Sequence, residues 1–236
     1  MGEGEQSAHG GLEPTGRVTI WRRQVHWDAG DLAWRVGALF IAGSALFAIG
    51  SFPLYYGVAS AGVVAATFAV GSVFFTAAAG SQLVEVLRDH PGPSPLPGVR
   101  LRRLEWWAVA IQLAGTVLFN LSTFRAVDDG LDAAETDRLV WAPDMLGSIA
   151  FLLASACAWV SLVGWHWREK PNDAEWWVNL LNGVGSVFFM IAAVAALVLP
   201  TTGEMINTAL VNLGTFAGAV CFLLGAYLIW PAIESE

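Results

Sequence analysis

Residues 36–84 read VGALFIAGSALFAIGSFPLYYGVASAGVVAATFAVGSVFFTAAAGSQLV, forty-nine residues without a charge between Arg35 and Glu85. A helix needs roughly 20 apolar residues to cross the hydrocarbon core of a bilayer, so this stretch is too long for one span. Pro53 and Gly57 interrupt it and favour a tight turn, and the two tyrosines between them are typical of the headgroup layer. The stretch therefore predicts two membrane-spanning helices joined by a short turn.

The rest of the chain contains four more uncharged runs of at least span length. The composition agrees with a membrane protein, because 56% of residues are hydrophobic and only 14% are charged, against about 25% charged in soluble domains. A soluble helix would also carry a polar stripe, which these runs lack. We therefore predict an all-α, polytopic membrane helical bundle with six transmembrane helices. The four runs are residues 106–124, 145–167, 176–203 and 205–233.

The positive charges divide by side. Of the 12 Lys and Arg residues, only Arg125 and Arg138 follow an odd-numbered span, and the others precede span 1 or follow an even-numbered span. Positively charged segments are retained in the cytoplasm. This predicts that both termini are cytoplasmic.

The predicted spans divide the chain into hairpins and connecting segments. The N-terminal tail is basic and tryptophan-rich towards its end, and it is either a helix in the headgroup layer or an irregular anchored segment. The linker before the second hairpin is rich in proline, glycine and arginine. The segments are the cytoplasmic tail 1–30, hairpin 31–87, linker 88–103, hairpin 104–167 with an acidic outer loop 125–144, and hairpin 168–236 with the C-terminus.

The spacing of glycine and phenylalanine indicates a three-fold repeat of a two-helix unit. The odd-numbered spans begin with Trp34, Trp106 and Trp176, and each reaches a Gly-Ser or Gly-Thr pair nine residues later. In all six spans a phenylalanine lies four residues after a mid-span glycine. Helix association in lipid depends on close approach at small residues, so we expect helix-packing contacts here, in three tandem parallel hairpin repeats. The positions are Gly43, Gly71, Gly115, Gly147, Gly185 and Gly218, with Phe47, Phe75, Phe119, Phe151, Phe189 and Phe222.

Residues 102–107 (RRLEWW) give one unit an aromatic-rich start, and both helices of each unit carry the glycine and phenylalanine. This pattern resembles the YrhK-like family of small bacterial membrane proteins. The third unit is the most similar, from EWW at residues 175–177 through NGVGS at 182–186 to Gly218. The chain departs from the family in having three units, and Ala33 stands where the other two units have glutamate. The resemblance implies a membrane fold, a location in a bacterial plasma (inner) membrane, and no particular activity.

The predicted spans place charged side chains only at their ends, which argues against an ion-coupled pump. Amide side chains do lie within the last two spans, and Asn179 and Asn182 share one face of span 5. Two interpretations stay open, a polar pathway or interhelical hydrogen bonds worth about 1 kcal/mol each. The possible pathway residues are Asn179, Asn182, Asn207 and Asn212.

No residue pattern predicts a metal site or a cofactor. No two of the four histidines are spaced four residues apart. The acidic loop around Asp128 does not match the EF-hand spacing, and Asp132 more simply caps a short surface helix. We therefore expect no metal, no cofactor and no catalytic residue.

The leading functional prediction is a non-catalytic membrane protein that self-associates or serves as an accessory subunit of a membrane complex. It rests on the missing chemistry and on the abundant small-residue helix faces. The alternative is a channel or carrier for a small neutral solute, lined by the asparagines of spans 5 and 6. A lipid-modifying enzyme using Glu105 and Glu175 is a third possibility, although these residues are more simply helix N-terminal carboxylates. The expected partners are the lipid bilayer and a homo-oligomer or membrane complex, with no nucleic acid.

Overall fold

The computed structural model describes residues 30–88, 104–163 and 174–230. Within these ranges six helices are long and apolar enough to cross a membrane, and no strand is present. The prediction of an all-α membrane bundle with six transmembrane helices is thereby confirmed. The long helices are α1 (Leu32–Ser51), α2 (Ala61–Arg88), α3 (Leu104–Arg125), α4 (Ala142–Val163), α5 (Ala174–Ala195) and α6 (Thr208–Ile229).

The first hairpin turns where the sequence places its proline. The Asp31 side chain caps the start of α1 by accepting a hydrogen bond from the Ala33 amide (3.0 Å). The helix ends at Ser51, and one short helical turn, Pro53–Tyr56, follows. The Tyr55 hydroxyl then shares a 2.7 Å hydrogen bond with Thr67 on α2, which ties the turn to the second helix.

The connection between α3 and α4 is shorter than predicted. Asp132 and Glu135 form a reciprocal capping box, so helix begins at Ala133, and it continues through a π-helical segment, Asp137–Trp141, into α4. The cap at Asp132 is confirmed. However, the acidic outer loop does not extend to residue 144, because Asp144 lies inside this continuous helix.

The loop between α5 and α6 folds against that helix. Val198 and Met205 form an isolated β-bridge, and Gly203 supplies the positive φ of 68° that this turn requires. The Asp137 carboxylate accepts a hydrogen bond from the Val198 amide (3.0 Å), and the Trp141 indole donates to the Ala193 carbonyl (2.8 Å). These contacts join the second and third hairpins at the end of the bundle that carries the hairpin loops, which we name the loop end. The opposite end, where α1, α3 and α5 begin, is the tail end.

The six helices form a closed ring in chain order. Each packs against the next, and α6 packs against α1. At this closing seam the Trp230 indole donates to the Trp34 carbonyl (3.1 Å), and the two rings stack with centroids 6.0 Å apart. A Cβ on Gly37 would lie 2.6 Å from the Trp230 ring, so glycine is needed for this approach.

Within each hairpin, glycine on one helix receives phenylalanine from the other. A Cβ on Gly71 would lie 2.8 Å from the Phe47 ring, and one on Gly43 would lie 3.0 Å from the Phe75 ring. The same reciprocal contact joins α3 to α4 and α5 to α6. In those hairpins the pairs are Gly115 with Phe151, Gly147 with Phe119, Gly185 with Phe222 and Gly218 with Phe189.

Between hairpins, the seams contain hydroxyl groups. Ser72 on α2 and Thr123 on α3 share a 2.9 Å hydrogen bond, and Ser155 on α4 and Ser186 on α5 share one of 3.0 Å. Both Ser72 and Ser186 directly follow a packing glycine and are fully buried. In these two Gly-Ser pairs the glycine therefore packs inside its own hairpin and the serine lies at the seam with a neighbouring hairpin.

Candidate functional site: two cavities separated by a phenylalanine cluster

Six phenylalanine side chains meet on the axis of the ring. All six are buried, with at most 7% of the side chain exposed, and contacting ring centroids lie between 5.0 and 6.4 Å apart. In each helix the phenylalanine lies four residues after the glycine. Because odd- and even-numbered helices run in opposite directions, the six rings form two layers, one on each side of the glycines. We name this cluster the plug. Its loop-end layer is Phe47, Phe119 and Phe189, and its tail-end layer is Phe75, Phe151 and Phe222.

A larger cavity of about 420 Å³ opens on the tail-end side of the plug. Phe222 of the plug lines it, and α1 and α6 supply an apolar wall that includes Val36, Phe40 and Ile229. Helices α2 to α5 supply the polar wall. The polar lining residues are Gln82, Glu85, Glu105, Gln112, Ser161, Glu175, Asn179 and Asn182.

Hydrogen bonds hold part of this polar wall. The Ser161 hydroxyl on α4 donates to the Glu105 carboxylate on α3 (3.2 Å). Asn179 donates its side-chain amide to the Glu175 carbonyl one turn earlier (2.9 Å). The side-chain oxygen of Gln82 is buried without a hydrogen bond from any described residue, so the wall retains an acceptor that is not satisfied within the protein.

A smaller cavity of about 270 Å³ lies on the loop-end side of the plug. Its floor is the loop-end layer of phenylalanines, and Phe68 and Trp141 add further aromatic lining. Asp144 is the only ionisable residue among its described lining residues. Hydroxyl and amide groups complete the polar lining: Ser122, Thr123, Thr136, Ser148, Thr208, Asn212 and Thr215.

Asp144 corrects the expectation that charges occupy only the span ends. It lies one helical turn before Gly147, and Gly147 receives the plug residue Phe119. The carboxylate is therefore near the middle of the bundle, and no described residue donates a hydrogen bond to it. The uncharged run that predicts this span begins at residue 145, so the sequence pattern placed Asp144 just outside the span.

The predicted asparagine pathway is divided by the plug. Asn179 and Asn182 line the larger cavity, and Asn212 lines the smaller one. Asn207 lines neither, because its side chain caps α6 by accepting a hydrogen bond from the Leu210 amide (3.0 Å).

The two cavities use the same position of the predicted repeat. The residue three before the packing glycine faces the larger cavity in odd-numbered helices and the smaller cavity in even-numbered ones. In both cases the first hairpin supplies phenylalanine and the other hairpins supply polar residues. The residues are Phe40, Gln112 and Asn182 at the larger cavity, and Phe68, Asp144 and Thr215 at the smaller one.

The described residues contain no group of three His, Cys, Asp or Glu side chains that could hold a metal ion. Both cysteines, Cys157 and Cys221, are free thiols and partly buried. The histidines lie outside the described residues at positions 9, 26, 90 and 166.

No family model, curated protein or solved structure matches the chain. The resemblance to YrhK-like proteins stays a prediction. The geometry of the two cavities is therefore the basis for a functional assignment.

Proposed function

We propose that this integral membrane protein provides a gated route for a small polar solute. The observation that carries the proposal is that two cavities with polar walls lie on opposite sides of one plug. Membrane carriers place their binding sites near the bilayer midplane, between repeated units. Here the first hairpin and the two polar hairpins surround such a region. The proposal is for a non-catalytic protein.

The plug supplies the barrier. Six buried phenylalanine rings leave no polar group for a solute or water to contact, and hydrophobic constrictions of this kind block passage. Movement through the plug requires the hairpins to shift relative to one another. The reciprocal Gly–Phe contacts keep each hairpin rigid, whereas the seams between α2 and α3 and between α4 and α5 are joined by a few side-chain hydrogen bonds, among them Ser72 with Thr123 and Ser155 with Ser186. Rocking at the seams would then expose the two cavities alternately.

We further propose that the tail end faces the cytoplasm of a bacterial cell. The support is the distribution of positive charge, since only Arg125 and Arg138 of the 12 Lys and Arg residues belong to the loop-end side.

Self-association stays a prediction with less support. The small-residue faces that suggested it are occupied inside the chain, where the packing glycines contact phenylalanines of the same hairpin. The outward faces of the helices expose valine and leucine side chains, for example Val187 and Leu213, as lipid contact requires. The mass of the purified particle in a mild detergent would test the prediction directly.

Transport in proteoliposomes tests the route. We expect saturable uptake of at least one of three radiolabelled probes, choline, glycerol or lactate, which represent cationic, neutral and anionic solutes. Uptake of all three at the rate of protein-free liposomes would overturn the proposal.

Side-specific labelling tests the two compartments. In a background lacking Cys157 and Cys221, Asn182→Cys and Thr215→Cys each introduce a thiol into one cavity. A membrane-impermeant maleimide should label the first from the tail end and the second from the loop end. Val187→Cys is the matched control, because this half-exposed residue faces outward from α5 towards lipid and should remain unlabelled. Labelling of both cavity positions from the same side, or of neither, would contradict the arrangement.

A further inference from the structure

We infer that the solute is a small organic cation of the ammonium class, which binds Asp144 in the smaller cavity. The inference rests on the proposed route and names its substrate class. Every ionisable residue among the described lining residues of both cavities is acidic, and no lysine, arginine or histidine is among them. Three of these carboxylates, Glu85, Glu105 and Glu175, line the larger cavity. In the smaller cavity a cation would therefore meet the Asp144 carboxylate without a competing cationic side chain among the described lining residues.

Asp144 provides the second line of argument. It lies within a helix that is long enough to span the membrane, and it opens into a cavity instead of towards lipid. A charged residue in a membrane segment is costly, so such residues pair with an opposite charge or mark a solute pathway. Among the described residues no cationic side chain lines this cavity and none donates a hydrogen bond to the carboxylate. A cationic solute is the partner that offsets its burial.

The lining favours an organic cation over a metal ion. A metal such as Ca²⁺ takes six to eight oxygen ligands, usually with several carboxylates among them, and the described residues contain no group of three His, Cys, Asp or Glu side chains that could hold a metal ion. Instead, Phe68, Trp141 and the plug give the smaller cavity aromatic lining around one carboxylate. Aromatic faces attract ammonium groups and accept their hydrocarbon substituents.

Both cavities suit an amphipathic molecule. The first hairpin contributes Phe40 to the larger cavity and Phe68 to the smaller one, opposite polar residues of the other hairpins. Small-molecule sites commonly occupy about 300–1,000 Å³, and the smaller cavity, at about 270 Å³, lies just below that range. The solute is therefore a small ammonium compound with a short apolar portion.

Equilibrium dialysis of the full-length protein, in a maltoside detergent free of choline lipids, tests this inference. The probes are choline and dimethylbutanol, the uncharged molecule in which carbon replaces the choline nitrogen. We expect saturable choline binding. The affinity for dimethylbutanol should be lower than that for choline by roughly tenfold or more, because it cannot form a charge pair with the desolvated carboxylate. This comparison uses the native protein, so it does not depend on a variant that must fold.

A pair of variants assigns the site. Asp144→Asn should weaken choline binding by roughly thirtyfold or more, because it removes the charge but keeps the side-chain shape. Asp129→Asn is the matched control, since Asp129 carries the same charge on the exposed loop between α3 and α4 and lines neither cavity. It should leave choline binding unchanged.

The possible results separate this inference from the proposed route. Equal binding of choline and dimethylbutanol, or equal loss in both variants, would overturn the cation assignment even if the liposomes transport glycerol. Displacement of choline by Ca²⁺ at equal concentration would overturn the choice of an organic cation. Choline binding that depends on Asp144, without uptake of any probe into liposomes, would support the cation site and overturn the route.

Discussion

The two cavities occupy the same position of the repeat but differ in the charge they carry. At the larger cavity the polar hairpins place amides, Gln112 and Asn182, three residues before the packing glycine, and several carboxylates stand nearer the tail end. At the smaller cavity the equivalent position holds Asp144, close to the plug. On the proposed route, a solute at the tail end would meet carboxylates spread over a wide opening, whereas at the loop end it would meet one carboxylate beside the plug. The helix register therefore sets where the cavities lie, and single residues at that register set their chemistry.

The contacts within hairpins are tighter than the contacts between them. Inside a hairpin, backbones approach at glycine and the space is filled by phenylalanine, which leaves little freedom for the two helices to slide. Between hairpins the described contacts include side-chain hydrogen bonds, such as Ser72 with Thr123 and Asn120 with Thr76. Such interhelical hydrogen bonds are individually weak in membranes. The three hairpins are thus expected to move as units.

The largest effect is expected from opening the plug, because the plug separates the two cavities. Phe151→Ala deletes a ring that contacts four other members of the plug. The unfolded helix stays in lipid, so the cost is mainly lost packing, about 2–3 kcal/mol in the free energy of unfolding. We also expect glycerol to leak through proteoliposomes that contain the variant.

Detergent-titrated unfolding and light scattering of the liposomes measure the two effects. Phe124→Ala on α3 is the control, because that ring is 57% exposed and outside the plug, and it should change neither quantity. Liposomes as tight with Phe151→Ala as with the native protein would show that the plug is not the barrier.

The next effect is expected from disturbing the hairpin interior, which positions both cavities. A Cβ on Gly218 would lie 2.5 Å from the Phe189 ring, so Gly218→Ala must displace a plug residue. Overpacking of this kind should destabilise the protein by about 1–2 kcal/mol. Gly183→Ala is the control in the same hairpin, because nothing lies within 4 Å of its Cβ position. It should be neutral or slightly stabilising in the same unfolding titration, and an equal loss in both variants would contradict the packing role of Gly218.

The positions of the glycines and phenylalanines along each helix were predictable from the sequence. The cluster and the cavities that these positions form were predictable only in part. The Gly–Phe spacing requires only counting along the chain, and hydropathy alone predicts the helices that carry it. That all six phenylalanines meet at one point depends on α6 closing against α1, which no local pattern determines. Asp144 was missed because a charge was taken to end a span. Its equivalence to Phe68 and Thr215, three residues before the glycine, was the signal available in the sequence.

A smaller effect should distinguish the charge distribution of the two cavities. Glu105→Gln removes one of several carboxylates at the larger cavity, and the Ser161 hydroxyl can still donate to the new side chain. Charge at this wide opening is screened by solvent, so choline binding should weaken only about threefold. Glu204→Gln, an exposed carboxylate in the α5–α6 loop, is the control and should have no effect. A loss as large as that expected for Asp144→Asn would mean that the tail-end carboxylates, and not Asp144, hold the cation.

The smallest effect is expected at a seam. Ser72→Ala removes one of the hydrogen bonds that join α2 to α3, the one to Thr123, while the bond from Asn120 to Thr76 remains. It should lower the free energy of unfolding by about 0.5–1 kcal/mol. Ser81→Ala on the same helix is the control, because its hydroxyl donates only to the Ala77 carbonyl of its own helix. If the hairpins move as units at this seam, Ser72→Ala should also raise the rate of solute uptake while Ser81→Ala leaves it unchanged. If Ser72→Ala loses stability without any change in uptake, the moving seam lies between other hairpins. It is then the seam between α4 and α5, where Ser186 makes a contact, or the one between α6 and α1, where Trp230 does.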